Sequence, residues 1–518
     1  MNRQRSSLVA SARGTTALAC LALVAIAFPA AADGPWFGLE EPKDRTGVWD
    51  PRMERLAFNL GWGPLDLQLG ADQDRYRDLT ADELLVHIDE VVEIAEKSEG
   101  DLGVWGRMAG SRYERMTAEY VAEEFEKLGL EEVRIDSFDI GPQWRLRSWE
   151  LTLLADPAYG EGTVDFALSE ALPVGGCSPT PEDGLEAELE YVGVARKADL
   201  AGRDLTGKIA VVHSYMHPSP NSHTAEAVPP WLADKGAAGF LVIMDVPEHL
   251  QFSPILARPK GGMLGFSTNG LEGSFIEDVL TSAAEAGLPA PKVRVKVDSG
   301  RTEPRKGLNT LGLIRGEIDE YVIVIAHTDS FFQGAIDNGT GIGHMLALAR
   351  HYAEPDAPKP RRNILFVATC GHHIGSPGVK DLIERYPEVM AKTVYATNWE
   401  HIATVWAYHF NRGAQLRWAN TEFPVTVSVS NKSPLLLELI HGAVERYGIV
   451  CNLETSHYPG GDPFPFWTAG VPVVNMIGLP LYYHTTRDVT EVLSRPGLER
   501  AARAAAFFID ETMKRSRA

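Results

Sequence analysis

The run YVIVIAHTDS, residues 321–330, constrains this chain more than any other stretch. Tyr321 to Ala326 is apolar and rich in β-branched residues, the pattern of a short buried strand. It runs straight into His327-Thr328-Asp329, and Asp337-Asn338 follow eight residues later. A buried strand that ends in such residues delivers them to the edge of a sheet, where open α/β folds place ligands and metals. Taken alone, the pair also fits a capped core histidine at 327 and a turn-forming Asp337 ahead of Gly339.

The same arrangement recurs downstream. A strand over Asn363–Thr369 leads into Cys370-Gly371-His372-His373, and one over Thr393–Trp399 into Glu400-His401. One over Val471–Ile477 is followed by Tyr482-Tyr483-His484, with Asp488 beyond. Helices are expected over Gly341–Ala353, Pro377–Tyr386, Pro434–Tyr447 and 497–513, so strands alternate with helices. The fold class expected is α/β, a mixed or parallel sheet covered by helices on both faces. Each histidine or acid could cap a helix or fill a buried hydrogen bond. Four strand ends in succession point instead to divalent cations, with a carboxylate such as Asp337 able to bridge two of them.

At 518 residues the chain is long enough for more than one domain. Residues 1–32 carry Arg3, Arg5 and Arg13, an apolar run from Ala17 to Phe28, and Ala30-Ala31-Ala32. That is the pattern of a secretory signal cleaved after Ala32, and it places the mature chain outside the cell or in the periplasm. The apolar run is short of the roughly 20 residues a membrane span needs, and no later stretch supplies one. The formal charge of −21, or −24 without the signal, argues against nucleic acid or an anionic membrane as partner. Cys177, Cys370 and Cys451 then remain, enough for at most one internal disulfide, for which Cys370 with Cys451 is conceivable.

Residues 33–149 open with an extended lead, followed by a helix capped by Thr80 and Glu83, a second near Thr117–Leu128, and a strand at Glu132–Phe138. Residues 150–300 differ in texture, with short β-like runs between Pro- and Gly-rich loops, as in a mostly β insertion. His213, His217 and His223 fall there in what reads as a loop without acidic partners, and are expected to be surface histidines. Residues 301–518 resume the α/β pattern.

With these motifs in place, the chain resembles the co-catalytic zinc aminopeptidases, a family (peptidase family M28-like) that includes glutamate carboxypeptidase and the transferrin receptor. The resemblance rests on AHTDS, GAIDNGTG, the strand NILFVAT, Gly461-Asp462 and YHTTRD, and runs from about residue 80 to the C-terminus. The insertion resembles a protease-associated domain through DLTGKIAVVHS and KGAAGFLVI. The resemblance implies two zinc ions. His327 and Glu400 would hold the first, His373 and His484 the second, and Asp337 would bridge them. It implies that Asp329 orients His327 and that Tyr483 hydrogen-bonds the oxyanion.

One departure stands out. Where the family has Glu-Glu after the strand NILFVAT, this chain has His372-His373. His373 can replace a carboxylate ligand. His372 takes the place of the general base, but an imidazole beside two dications is penalised on accepting a proton. The resemblance therefore implies an exported hydrolase of peptide or other amide bonds, an aminopeptidase or another exopeptidase, with reduced or altered activity. A non-catalytic binding relative, or a one-metal enzyme like the glutaminyl cyclases, are the competing readings.

Overall fold

The computed structural model describes residues 75–100, 104–214, 231–244, 246–253, 262–410, 415–430, 433–456 and 459–516. The signal segment 1–32, most of the extended lead, His217 and His223 lie outside them.

The sheet is built outward from three parallel pairings. Strand β9 (Ile318–His327) lies between β10 (Arg362–Thr369) and β11 (Thr393–Glu400), parallel to both, and β11 is parallel to β16 (Val473–Ile477). Beyond β16 lie β14 (Val425–Ser430) and β15 (Cys451–Ser456). Strands that are buried on both faces read as near-continuous apolar runs. In β9, Val322, Val324 and Ala326 enter one core cluster and Ile323 and Ile325 another. Helices α1 (Ala81–Glu96), α4 (Thr340–Ala353) and α9 (Arg495–Met513) contribute to the first cluster, and α5 (Pro377–Arg385), α6 (Pro387–Lys392) and α8 (Pro463–Thr468) to the second. Helix α2 (Arg112–Lys127) adds Phe125 to the first, and α7 (Pro434–Arg446) packs against α9.

On the other side of β10 lies β8 (Lys292–Ile314), a 23-residue strand. Its antiparallel partner β1 (Glu131–Leu153) is equally long. Residues 310–314 of β8 pair with β10, while residues 292–295 pair with β4 (Leu185–Tyr191). From β4 the sheet runs on through β5 (Ile209–Ser214), β6 (Gly239–Met244), β7 (Leu264–Thr268) and the short β3 (Leu172–Pro173). Residues 150 and 300 thus both fall inside strands of one long ribbon.

Three expectations need correction here. Residues 150–300 include a 16-residue helix, α3 (Gly270–Glu285), whose start is marked by Asn269 accepting from the Glu272 amide at 2.9 Å. His213 is not in a loop without acidic partners. It lies in β5, with Nδ1 2.9 Å from Glu277 of α3. Cys177, Cys370 and Cys451 are buried, unbridged thiols, so the Cys370–Cys451 pairing does not form.

Candidate metal centre

Because β9, β10, β11 and β16 are parallel, their C-terminal ends lie on one edge, and each feeds a loop that carries candidate ligands. His327 is the last residue of β9 and Glu400 the last of β11. His372 and His373 open a short turn two residues past β10, and His484 follows β16 after a turn. Asp337 arrives on the loop between β9 and α4. That loop is held from inside by Arg107, a fully buried guanidinium. It donates to the carbonyls of Thr328 at 3.0 Å, Val91 at 2.8 Å, Gln333 at 2.8 Å and Gly334 at 3.1 Å. Several site loops bend through left-handed backbone at residues other than glycine, namely Phe332, Ser376, His401, Ala403 and His484. Such conformations are costly and persist where the surrounding structure enforces them.

Asp337 is the hub. Its Oδ2 lies 2.9 Å from His373 Nε2 and 2.8 Å from His484 Nε2. Its Oδ1 lies 3.1 Å from His327 Nε2 and 2.9 Å from His401 Nε2. His327 Nε2 is also 3.6 Å from Glu400 Oε2. All five predicted ligands, His327, Asp337, His373, Glu400 and His484, therefore meet at one buried centre, together with His372 and with His401, which the sequence reading did not select. His327, His372 and Glu400 form one group of donor atoms, and Asp337, His373 and His484 form another.

The outer nitrogens explain the aim of the inner ones. Each Nδ1 faces an acceptor: Asp329 O for His327 at 2.9 Å, Asp462 Oδ1 for His372 at 3.1 Å, and Asp329 Oδ2 for His373 at 2.8 Å. The carbonyl of Gly478 serves His401 at 3.0 Å, and that of Ser253 serves His484 at 2.9 Å. Carbonyls and carboxylates only accept, so each Nδ1 holds a proton, and a ring that gives up its second proton turns the Nε2 lone pair inward. Five lone pairs around two carboxylates repel one another unless cations or protons lie between them. His327 Nε2, His484 Nε2 and both Glu400 oxygens are buried without a hydrogen-bond partner. Orphaned polar atoms of this kind are costly in a protein interior, and this donor set fits divalent metal.

The resemblance implied that Asp329 orients His327, and the contact found is between the Asp329 carbonyl and His327 Nδ1. Its carboxylate does more. It accepts the amides of Gly371, His372 and His373 at 2.9, 3.0 and 3.1 Å as well as His373 Nδ1. Asp462 accepts from Thr369 Oγ1 at 2.8 Å and Ser376 Oγ at 2.5 Å, and so fixes His372. Tyr483 is buried, with its ring stacked on His484 at 3.7 Å and 4.8 Å from His401. Phe331 packs against His373 at 4.7 Å and His484 at 4.9 Å, giving the centre an apolar wall.

Electrostatics follow from this crowding. Burial alone would raise the Asp337 pKa, but His373 and His401 outweigh it and hold the carboxyl well below its usual range. Burial would lower His372 and His373. For His372, Asp462 and Glu400 prevail and push it up to about 10, and for His373, Asp337 and Asp329 push it up to about 9. At His484 burial wins, and its pKa falls to about 4. Burial and nearby Asp337 raise Asp488 to about 7, while its carboxylate accepts the amides of Ile336 and Asp337. Burial, with Asp329 adding to it, raises Glu114 to about 8, and its Oε1 accepts from Thr328 Oγ1 at 2.8 Å. Burial also keeps the Tyr483 phenol protonated far above neutral pH.

Comparison with known proteins agrees with this architecture. Residues 309–509 match the sequence profile of peptidase family M28. Aminopeptidase YwaD of Bacillus subtilis is 25% identical over 430 residues, covering 79% of this chain and 82% of that protein. The crystal structure of a zinc aminopeptidase from Bacillus subtilis superposes with a TM-score of 0.62 at 20% identity, over 84% of this chain and 95% of that one. A peptidase M28 precursor from Shewanella amazonensis superposes with a TM-score of 0.65 at 18% identity, over 84% and 98%.

Proposed function

The chain belongs to peptidase family M28 and is a metallopeptidase, and from that premise we propose an exported, two-zinc aminopeptidase acting on peptide substrates. The observation that carries the reading is the set of Nδ1-anchored histidines whose Nε2 atoms converge on Asp337 and the unpartnered Glu400. In this reading His327 and Glu400 hold the first ion, His373 and His484 hold the second, and Asp337 serves both. When bound, the ions supply Lewis-acid polarisation of the scissile carbonyl.

The chain's own residues do the rest. Asp329 and Asp462 lock ring tautomers, which sets both aim and basicity. Tyr483 stays protonated and can donate to an oxyanion without itself ionising. Phe331 keeps water from the face of His373 and His484. Residues 150–300 form the protease-associated-like insertion between 33–149 and 301–518, and segment 1–32 directs export. Among the described residues no helix is long and apolar enough to cross a membrane.

A second reading, a peptide-binding relative without turnover, draws on one observation. The two positions after β10 hold imidazoles, and His372 is bound to Asp462 on one side and stacked on His327 on the other, 4.1 Å between ring centroids. Elemental analysis of the desalted protein, followed by hydrolysis of aminoacyl-p-nitroanilides, separates the two. Two zinc ions with turnover support the peptidase. Two zinc ions with peptide binding and no turnover, before and after His372→Glu, would leave the binding protein.

A further inference from the structure

His401 has no part in the ligand set above, yet it stands to Asp337 as the assigned donors do. Each Asp337 oxygen is met by two imidazole nitrogens. Oδ2 has His373 Nε2 at 2.9 Å and His484 Nε2 at 2.8 Å, the pair assigned to the second ion. Oδ1 has His327 Nε2 at 3.1 Å and His401 Nε2 at 2.9 Å. Donors on one tetrahedral zinc ion sit about 3.3 Å apart, given Zn–N lengths of roughly 2.0–2.1 Å, a spacing these contacts approach. The His327 and His401 rings are nearly perpendicular, at 88°, with centroids 6.1 Å apart. They do not stack but meet through their Nε2 tips at one oxygen, and the donor atoms of His327, Asp337 and His401 lie within 4.8 Å of one another.

The backbone supports the same aim. His401 Nδ1 lies 3.0 Å from the Gly478 carbonyl, as His484 Nδ1 lies 2.9 Å from that of Ser253. A neutral imidazole has one proton, and the carbonyl claims it for the outer nitrogen. The inner nitrogen then has only a lone pair to offer, and a lone pair facing a carboxylate oxygen calls for a cation between them. Both histidines also sit on left-handed backbone, φ 54° at His401 and 59° at His484, a cost that surrounding structure must enforce.

We propose that His401 Nε2 is a protein donor to the first ion, beside His327, Asp337 and Glu400. This rests on the two-metal reading above and extends its ligand set. Each ion then takes two imidazoles and one oxygen of Asp337, and Glu400 makes the first ion's set the larger. His327, His401, His373 and His484 outnumber the two carboxylates. Such a nitrogen-rich pair suits zinc, copper or nickel, unlike the oxygen-rich sites that hold magnesium or manganese.

Cobalt(II) titration of the metal-free protein, read by proton NMR, tests this without reference to activity. A histidine bound through Nε2 carries its Nδ1 proton close to the paramagnetic ion, and that solvent-exchangeable signal moves far downfield. The wild-type protein is expected to show such signals from His327, His373, His401 and His484, and His401→Gln is expected to lose one of them. His401→Ala is expected to weaken one of two binding events by more than about 100-fold, beyond the usual cost of losing an outer-shell partner. The other event is expected to stay within about threefold, and added imidazole to restore the lost affinity. A folded His401→Gln protein that binds two cobalt ions and keeps every shifted signal overturns the proposal, as does a His401→Ala protein with wild-type affinities. If neither variant folds, the wild-type spectrum decides: two bound ions with fewer shifted signals than these histidines require overturn it. Wild-type protein that shows all these signals but hydrolyses no peptide would refute the peptidase and not this ligand set. Wild-type protein that binds no cobalt refutes both.

Discussion

Ser253 and His484 hold each other by two backbone-level contacts. The Ser253 carbonyl lies 2.9 Å from His484 Nδ1, and the Ser253 amide donates to the His484 carbonyl at 3.0 Å. Phe252 bridges to Thr485 beside them, and Glu248 pairs with Arg487 at 2.7 Å. A residue between β6 and β7, within the 150–300 region, thus sets the tautomer of a proposed metal donor that follows β16.

Ser253→Pro removes the donated amide hydrogen and keeps the residue small. It is expected to weaken zinc at the second ion about 10- to 100-fold, the usual cost of losing an outer-shell partner. Competition with a chromophoric chelator measures it. Unchanged affinity would mean that the 251–253 segment merely lies beside the site.

Asp329→Asn swaps a carboxylate for a group whose NH2 end must face donors, because three amides and His373 Nδ1 already point at it. Its expected effect is also about 10- to 100-fold on metal affinity, with a lowered melting temperature even in excess zinc. Equal affinities for variant and wild type in the same titration would refute the positioning role.

The metal-free protein has its own pH dependence. His372 and His373 titrate near 10 and 9 when folded, against about 6.5 unfolded. Both pKa values are raised, so the folded state binds more protons between those limits. Their stabilisation is full below about pH 6.5 and is lost as pH rises through 9 to 10. Zinc must displace the same protons, so its apparent affinity is expected to climb across that window, with proton release on binding. Thermal melts of chelator-stripped protein from pH 6.5 to 10 check the first part. Titration in two buffers of different ionisation heat checks the second. A flat profile in both would show that these rings are neutral before metal arrives.

Arg107→Met leaves the carbonyls of Val91, Thr328, Gln333 and Gly334 without their shared donor. An unsatisfied buried carbonyl costs about 1–3 kcal/mol; Gly334 keeps the Gly339 amide and Val91 its helix partner, so Thr328 and Gln333 carry most of an expected loss of about 3 kcal/mol in urea unfolding, with zinc present throughout. A loss below about 1 kcal/mol would mean that water or relaxation replaces the guanidinium.

Strand ends were the legible part of the sequence, because an apolar run followed by His or Glu states both a buried strand and what it delivers. His401 is less legible. Neighbours on a strand point to opposite faces, so a ligand at Glu400 argues against one at 401. The left-handed backbone at His401, φ 54°, breaks that alternation: His401 reaches Asp337 at 2.9 Å while Glu400 lies 3.6 Å from His327. Nothing local marks Arg107, Glu114 or Ser253, whose partners in the site loops lie more than 200 positions away in the chain. Helix α3 carries a local mark in Asn269 and Glu272, a short cap set among Gly-rich surroundings.

The brace supplied by Arg107 also bears on how small this molecule can be made. A fragment trimmed to the matched span, residues 309–509, keeps every proposed metal donor and discards Arg107, Glu114 and Ser253. It would own the ligands without the parts that aim them. Anyone grafting this centre onto another scaffold must carry three distant outposts with it, since its shape is encoded well outside its chemistry.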